Sequence, residues 1–264
     1  MTQTKVIQMT VLRSIAPPRH RTPGVWGLYP VGDSCLVLKV SEVFSPEANR
    51  LVAHYARQLS LAVREHRLAG VTDIVPAMVS VAVHYRPEQI ACQGDEGPFE
   101  ALRVQVNNVL ASAAAEQGVQ PRQVDIPVCY GGAYGPDLKE VAAALKLQPD
   151  ALIELHASQV VDVLMVGFAP GHPYIGMLDE RLNPPRKATP RAKVNPGSIG
   201  LANRQSVIYP LALPGGWHLI GRTPLAMFDA DRTEPCLLRG GDRVRFVPID
   251  AGVFESTLRE AQGE

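Results

Sequence analysis

The sequence predicts an α+β chain in two parts, on three observations. Up to about residue 130, short stretches with the period-2 alternation of strands are separated by longer stretches with the 3.6-residue period of amphipathic helices. From about residue 160 the helical periodicity gives way to a succession of short apolar runs punctuated by Pro and Gly, the pattern of a sandwich or barrel. The length, 264 residues of which 46% are hydrophobic and 20% charged, suits one large or two small domains.

Taken in order, residues 1–23 read as a disordered leader: Lys5, Arg13, Arg19 and Arg21 precede any acid, with no continuous apolar segment of the secretory kind. Residues 24–130 form the small N-terminal α/β domain. Residues 35–40 are β-rich, and Ser45 and Pro46 then supply an N-cap and a first-turn proline. The helix they start carries Leu51, Val52, Tyr55, Ala56, Leu59, Ala62 and Val63 on one face. Residues 71–75 and 78–85 read as strands, with Pro76 between them; the second sets Val79, Val81, Val83 and Tyr85 against Ser80, Ala82 and His84. A second helix runs over 98–115 through Leu102, Val106, Val109 and Leu110, and 123–130 is a closing strand. The order β-α-β-β-α-β predicts a ferredoxin-like sandwich.

Residues 131–158 are expected to form a helical connector, with one short helix after Pro136 and one after Pro149. Within 159–250 the strand candidates are 160–166, 198–201, 206–209, 217–222 and 244–248, and 251–264 reads as a polar tail.

Composition and missing motifs exclude several functions. Lys and Arg number 26 against 26 Asp and Glu, so no whole-molecule field draws the chain to nucleic acid or an anionic membrane. Aromatics are 6% and not interleaved with basic residues, which argues against RNA recognition. The longest apolar run, residues 163–169, is far short of the roughly 20 residues of a membrane span. Cys35, Cys92, Cys129 and Cys236 form no C-x-x-C pair and suit reduced thiols in a cytoplasmic protein. There is no phosphate loop, no G-x-G-x-x-G, no H-E-x-x-H, no metal-type Cys/His spacing and no nucleophile elbow.

Three constellations carry candidate chemistry. Residues 167–176 form a Gly- and Pro-rich loop directly after a strand, able to hold backbone amides at Gly171 and the side chains of His172 and Tyr174 toward a ligand, or simply to turn a tight corner. Between Arg181 and Phe228 there is no acid, while Arg181, Arg186, Lys187, Arg191, Lys193, Arg204 and Arg222 supply positive charge, the field of an anion site or of a solvated basic face. Arg191 and Lys193, before a loop that continues to Ser198, are the leading anion ligands. Third, Gln205 and Tyr209 are followed by Gly215-Gly216 and a strand that ends at Arg222 and Thr223, with Trp217 as an aromatic wall or a core filler. Asp242 reads as a turn residue.

Together, Gly167-Phe168-Ala169-Pro170-Gly171, Ala188-Thr189-Pro190-Arg191, Gly197-Ser198, Gln205, Tyr209-Pro210, Pro214-Gly215-Gly216-Trp217 and Gly221-Arg222-Thr223-Pro224 resemble the family of 5-oxoprolinase B-type subunits, also called allophanate hydrolase subunit 1 or the KipI family. The resemblance extends over residues 26–249 and includes Pro127-Val128-Cys129-Tyr130-Gly131-Gly132 and Gly135-Pro136-Asp137-Leu138. It implies a cyclophilin-like β-barrel for the C-terminal part. It also implies a protein that is not an enzyme alone but acts with A- and C-type subunits in an ATP-dependent hydrolase opening the 5-oxoproline lactam to glutamate. Arg191, Lys193, His172 and Tyr174 are then the catalytic candidates, and Gly171, Ser198, Gln205, Tyr209, Trp217, Arg222 and Thr223 the binding ones. His172 stands where the family often carries Phe. The resemblance leaves two other roles open: a urea carboxylase or allophanate hydrolase type of carboxyltransferase component, and a KipI-like inhibitor of a histidine kinase.

Overall fold

The computed structural model describes residues 27–113 and 121–262; the leader expected over 1–23 lies outside them. The elements in chain order are β1 (Gly27–Pro30), β2 (Cys35–Lys39), α1 (Pro46–Arg64), β3 (Val71–Pro76), β4 (Ser80–Tyr85), α2 (Pro98–Ala113), β5 (Gln123–Tyr130), α3 (Leu138–Ala144) and α4 (Pro149–Ala157). They continue with β6 (Val160–Val166), β7 (Pro173–Gly176), β8 (Arg191–Val194), β9 (Ser198–Ala202), β10 (Gln205–Ile208), β11 (Leu213–Gly215), β12 (His218–Arg222), β13 (Arg243–Ile249) and α5 (Ala251–Gln262).

The N-terminal layer is an antiparallel sheet in the order β1-β2-β4-β3. Alternation along β4 turns Val81, Val83 and Tyr85 into the core, where they meet Leu36 and Leu38 of β2, Val52, Leu59 and Ala62 of α1, and Leu102 and Val106 of α2. Ser45 caps α1 as its position predicts, its Oγ accepting from the Ala48 amide at 3.1 Å.

The closing strand expected for a ferredoxin-like sandwich is a correction. Residues Gln123–Tyr130 do form a strand, but β5 joins the C-terminal barrel. In the N-terminal sheet the place beside β2 is taken by β1, which pairs with β2 from Gly27↔Lys39 to Pro30↔Leu36. The open edge that β5 finds instead is β13, and the two run parallel from Arg243↔Gln123 to Ile249↔Cys129.

The barrel closes through β10-β7-β6-β13-β5-β12-β9, with β9 returning to β10. The β9–β10 hairpin turns on Asn203 and Arg204, at φ of 51° and 58°, the two left-handed residues that a tight hairpin turn requires. Its core holds Ile126, Val128, Val163, Ile175, Ile199, Leu201, Ile208, Ile220, Val244 and Phe246. The two layers are fastened by Asn49, 1% exposed on α1, whose Nδ2 donates to the carbonyls of Met78 and Leu164 at 3.0 Å each, and by Arg50, whose Nε meets Asp162 at 2.9 Å.

The expected polar tail is also corrected: Ala251–Gln262 is helix α5, started by Asp250, whose Oδ1 accepts from the Val253 amide at 2.8 Å, and anchored by the buried Phe254. Short strands β7, β8 and β11 stand where Gly and Pro predicted loops.

One polar chain crosses the barrel core. Ser206 Oγ donates to the Gly200 carbonyl at 3.0 Å, so it accepts from His156 Nε2 at 3.1 Å, which leaves His156 Nδ1 to accept from the Tyr130 hydroxyl at 2.7 Å. His156 is fully buried and stacks on Phe246 at 4.2 Å, and burial holds its pKa down to about 3. Because the folded protein disfavours the imidazolium, His156 costs nothing above its ordinary value of 6.5, and the cost grows as pH falls from there toward 3. At pH 4.5 this cost is about 2 to 3 kcal/mol. Urea unfolding at pH 7.5 and 4.5 is expected to show at least that loss in the native sequence and a smaller one in His156→Gln.

Candidate functional site

Where β5 ends and β9 begins, a cavity of about 210 Å³ opens among Ala133, Tyr134, Pro136, Arg191, Lys193, Val194, Asn195, Ser198, Leu219 and Arg222. Three of its side chains are cationic. The backbone behind it is tightly drawn: Gly197, at φ 79°, donates its N–H to the Tyr209 carbonyl and accepts from the Thr223 amide, and a Cβ there would fall 2.3 Å from the Thr223 carbonyl. Gly135 is as constrained, since a Cβ would lie 2.0 Å from the Ile220 carbonyl.

Asp137 accounts for much of the electrostatics. It is 4% exposed; its Oδ1 accepts from Arg191 Nη2 at 2.7 Å and lies 3.5 Å from Lys187 Nζ, and its Oδ2 accepts from the Leu219 amide at 2.7 Å. Burial pushes the carboxyl pKa up, but the bonds from Arg191 and Leu219, with the charges of Arg191 and Lys187, hold it below its ordinary value. The Arg222 Nε donates to the Pro196 carbonyl at 2.8 Å, and its guanidinium lies 5.6 Å from the Phe254 ring centroid.

The acid-free stretch is therefore not a bare positive field. Arg181 pairs with Asp179 at 2.8 Å, Lys187 and Arg191 meet Asp137, and Arg186 lies 4.8 Å from the Trp217 ring. Arg204 Nε donates to the Leu178 carbonyl at 3.1 Å. Arg191, Lys193 and Arg222 are the cations that line the cavity.

The structure separates the residues expected to act together. Arg191, Lys193, Ser198 and Arg222 share the cavity. His172, Tyr174, Tyr209 and Trp217 instead form an aromatic cluster that does not line it. The His172 ring lies 5.4, 5.1 and 5.3 Å from those of Phe168, Tyr174 and Tyr209, and Tyr174 is 6.2 Å from Trp217. His172 is 1% exposed with Nδ1 unpartnered, and burial lowers its pKa to about 4; burial likewise raises that of Tyr209 to about 12. Trp217 packs with Val194, Val207 and Leu219, so it fills a core as well as backing Arg186. Thr223 is buried behind Gly197, its Oγ1 accepting from the Leu225 amide at 3.3 Å. Gly171, at φ 73°, closes against the Met227 carbonyl. Gln205 pairs with Ala202 beside the hairpin turn, whereas Ser198 stands at the far end of that hairpin. Asp242 is a turn residue, bonded to the Arg239 amide and to Arg122. Among the described residues no group of three or more His, Cys, Asp or Glu is placed to hold a metal, and no helix is long and apolar enough to cross a membrane.

Two contributors do not emerge from the sequence pattern. Asp137 carries a signal nonetheless: an acid-free cationic stretch needs acids from elsewhere in the chain. The other is α5, where the Phe254 ring packs tilted against Tyr134 with centroids 4.6 Å apart and Glu255 accepts from the Tyr134 hydroxyl at 2.7 Å.

A small antiparallel α/β layer fastened to a seven-stranded barrel defines the fold, and comparison with known proteins agrees with it. The family described as carboxyltransferase domain, subdomain C and D, matches residues 26–238, and the chain belongs to it. A Bacillus subtilis protein named as the B-type subunit of 5-oxoprolinase is 40% identical over 88% of this chain and 96% of its own length. An Escherichia coli O157:H7 protein of the same name is 42% identical over 85% and 97%. The crystal structure of TTHA0988 matches with a TM-score of 0.68 and 34% identity over 83% of this chain. This chain spans only 40% of that one. The Kluyveromyces lactis urea amidolyase shares the fold, with a TM-score of 0.62 at 18% identity, over 92% of this chain and 17% of its own.

Phe254→Ala removes the ring that touches two cavity residues. It is expected to lower the unfolding free energy by about 3 to 5 kcal/mol in urea titration.

Proposed function

We propose that this chain is the B-type subunit of an ATP-dependent 5-oxoprolinase, and that the Arg191–Lys193–Arg222 cavity holds the carboxylate of 5-oxoproline. The observation that carries this reading is three cationic side chains on one small cavity, in a chain at least 40% identical to two proteins named as B-type 5-oxoprolinase subunits over nearly their whole length. Guanidinium groups suit a carboxylate because they offer paired N–H donors in its plane, and Arg222 has both terminal nitrogens free of the bond its Nε makes to Pro196. Ser198 adds a hydroxyl to the cavity wall. Holding the carboxylate fixes the lactam carbonyl relative to whatever attacks it, and such positioning is worth several kcal/mol of barrier.

The residues of this cavity do not fit ATP. At about 210 Å³ the cavity lies below the roughly 300 Å³ at which ordinary ligand pockets begin, and the sequence holds neither common phosphate-cradling motif. ATP enters this reading at the level of the complex, and we assign this chain no step of its chemistry. The proposed partners are a homologous C-type subunit and an A-type subunit, working in the cytoplasm. His172, Tyr174, Tyr209 and Trp217 act in this scheme as the packed wall behind the β8–β11 ribbon rather than as groups that touch substrate.

The test is substrate-dependent ADP release by the native complex purified through this chain, with 5-oxoproline as substrate and urea with bicarbonate as control. Release with 5-oxoproline alone is expected. Arg191→Ala is expected to lower kcat/KM about 10- to 100-fold, the range for losing a hydrogen bond to a charged group. Release that depends on urea, or none with either substrate from the intact complex, contradicts the reading.

A further inference from the structure

We infer that Asp137 is a positioning residue for the anion cavity, setting the Arg191 guanidinium from behind the cavity wall. The inference rests on the reading of that cavity as the carboxylate site.

Asp137 stands just before α3, where an aspartate ordinarily caps its own helix, yet its side chain makes no capping bond. Both oxygens are committed elsewhere, Oδ1 to Arg191 and Lys187 and Oδ2 to the Leu219 amide. The Asp137 amide in turn donates to the Leu219 carbonyl at 2.9 Å, so two reciprocal bonds lock residues 137 and 219 together. Pro136, its neighbour in sequence, and Leu219, its partner, both line the cavity. Asp137 is thus joined on both sides to the wall while being buried itself.

The grip on Arg191 is one-sided. Oδ1 takes Nη2, and Nη1 is buried with no hydrogen-bond partner, a donor left over on a residue that lines the cavity. A leftover buried donor is costly unless an acceptor reaches it. β8 itself is a four-residue strand paired only with the three-residue β11, so backbone pairing alone gives Arg191 little restraint, and the carboxylate of Asp137 is its main anchor.

The test uses the full chain and its complex. Binding of 5-oxoproline, acetate and inorganic phosphate to the purified chain is followed by ligand-observed NMR, with thermal unfolding in parallel. Asp137→Asn is expected to weaken binding tenfold or more, and in the complex to raise KM for 5-oxoproline far more than it lowers kcat. In an Arg191→Gln background the same substitution is expected to add almost nothing, because Asp137 acts through Arg191. Equal losses in both backgrounds, unchanged binding in Asp137→Asn, or no binding of any probe to the native chain overturns the inference. If Asp137→Asn does not fold, Asp137→Glu decides: it keeps the charge and displaces the carboxylate, so a tenfold loss that vanishes in the Arg191→Gln background supports the inference and unchanged binding overturns it. A complex that ignores 5-oxoproline, but whose chain binds acetate or phosphate in an Asp137-dependent way, refutes the substrate and leaves the positioning role standing.

Discussion

Closing the barrel requires a strand from the first half of the chain to pair in parallel with the last strand, about 120 residues away, and most of the site hangs on that pairing. β5 and β13 run together over seven residues, Gln123 to Cys129 against Arg243 to Ile249. Bringing such distant segments together costs loop-closure entropy, which grows only slowly with length and is offset by burying Ile126, Val128, Val244 and Phe246. Past its end, β5 leads through Gly131 and Gly135 to Asp137, and β13 leads directly into α5. Tyr134 on one of these continuations and Phe254 on the other then pack ring against ring. Both flanks of the cavity are thus consequences of one strand pair.

The charges around the cavity obey a second constraint. Burying a carboxylate and drawing a guanidinium to it costs several kcal/mol of hydration, which their attraction and the Leu219 amide bond offset. An apolar pair of the same volume commonly holds a fold equally well. What the ion pair adds is direction: it fixes the Arg191 Nη2 edge against Asp137 beside the cavity wall. The same logic governs Arg222, held at Nε by a carbonyl and flanked by a ring.

Much of this is legible in the sequence. Ser45-Pro46 announces α1, and the alternation of Val81, Val83 and Tyr85 announces β4, because caps and periodicity are local signals. The destination of β5 is not legible. Its pattern fits a ferredoxin-like sheet and a barrel alike, and the outcome turns on β1, a four-residue strand too short to carry a pattern, already standing beside β2. The site divides similarly. Arg191, Lys193, Ser198 and Arg222 follow from charge and Gly/Pro context, but grouping them with His172 and Gln205 fails, because proximity along the chain does not say which end of a hairpin a residue occupies. Asp137 is visible only as part of a motif; its weight comes from contacts more than 50 residues away.

The central claim is that the substrate carboxylate sits among Arg191, Lys193 and Arg222. The most direct measurement is a crystal structure of the assembled complex grown with 5-oxoproline. The carboxylate is expected within hydrogen-bond distance of the Arg191 and Arg222 guanidinium groups. A ligand seated in the larger cavity of about 320 Å³ beside Arg50 and Asp162, or wholly within a partner protein, contradicts the claim.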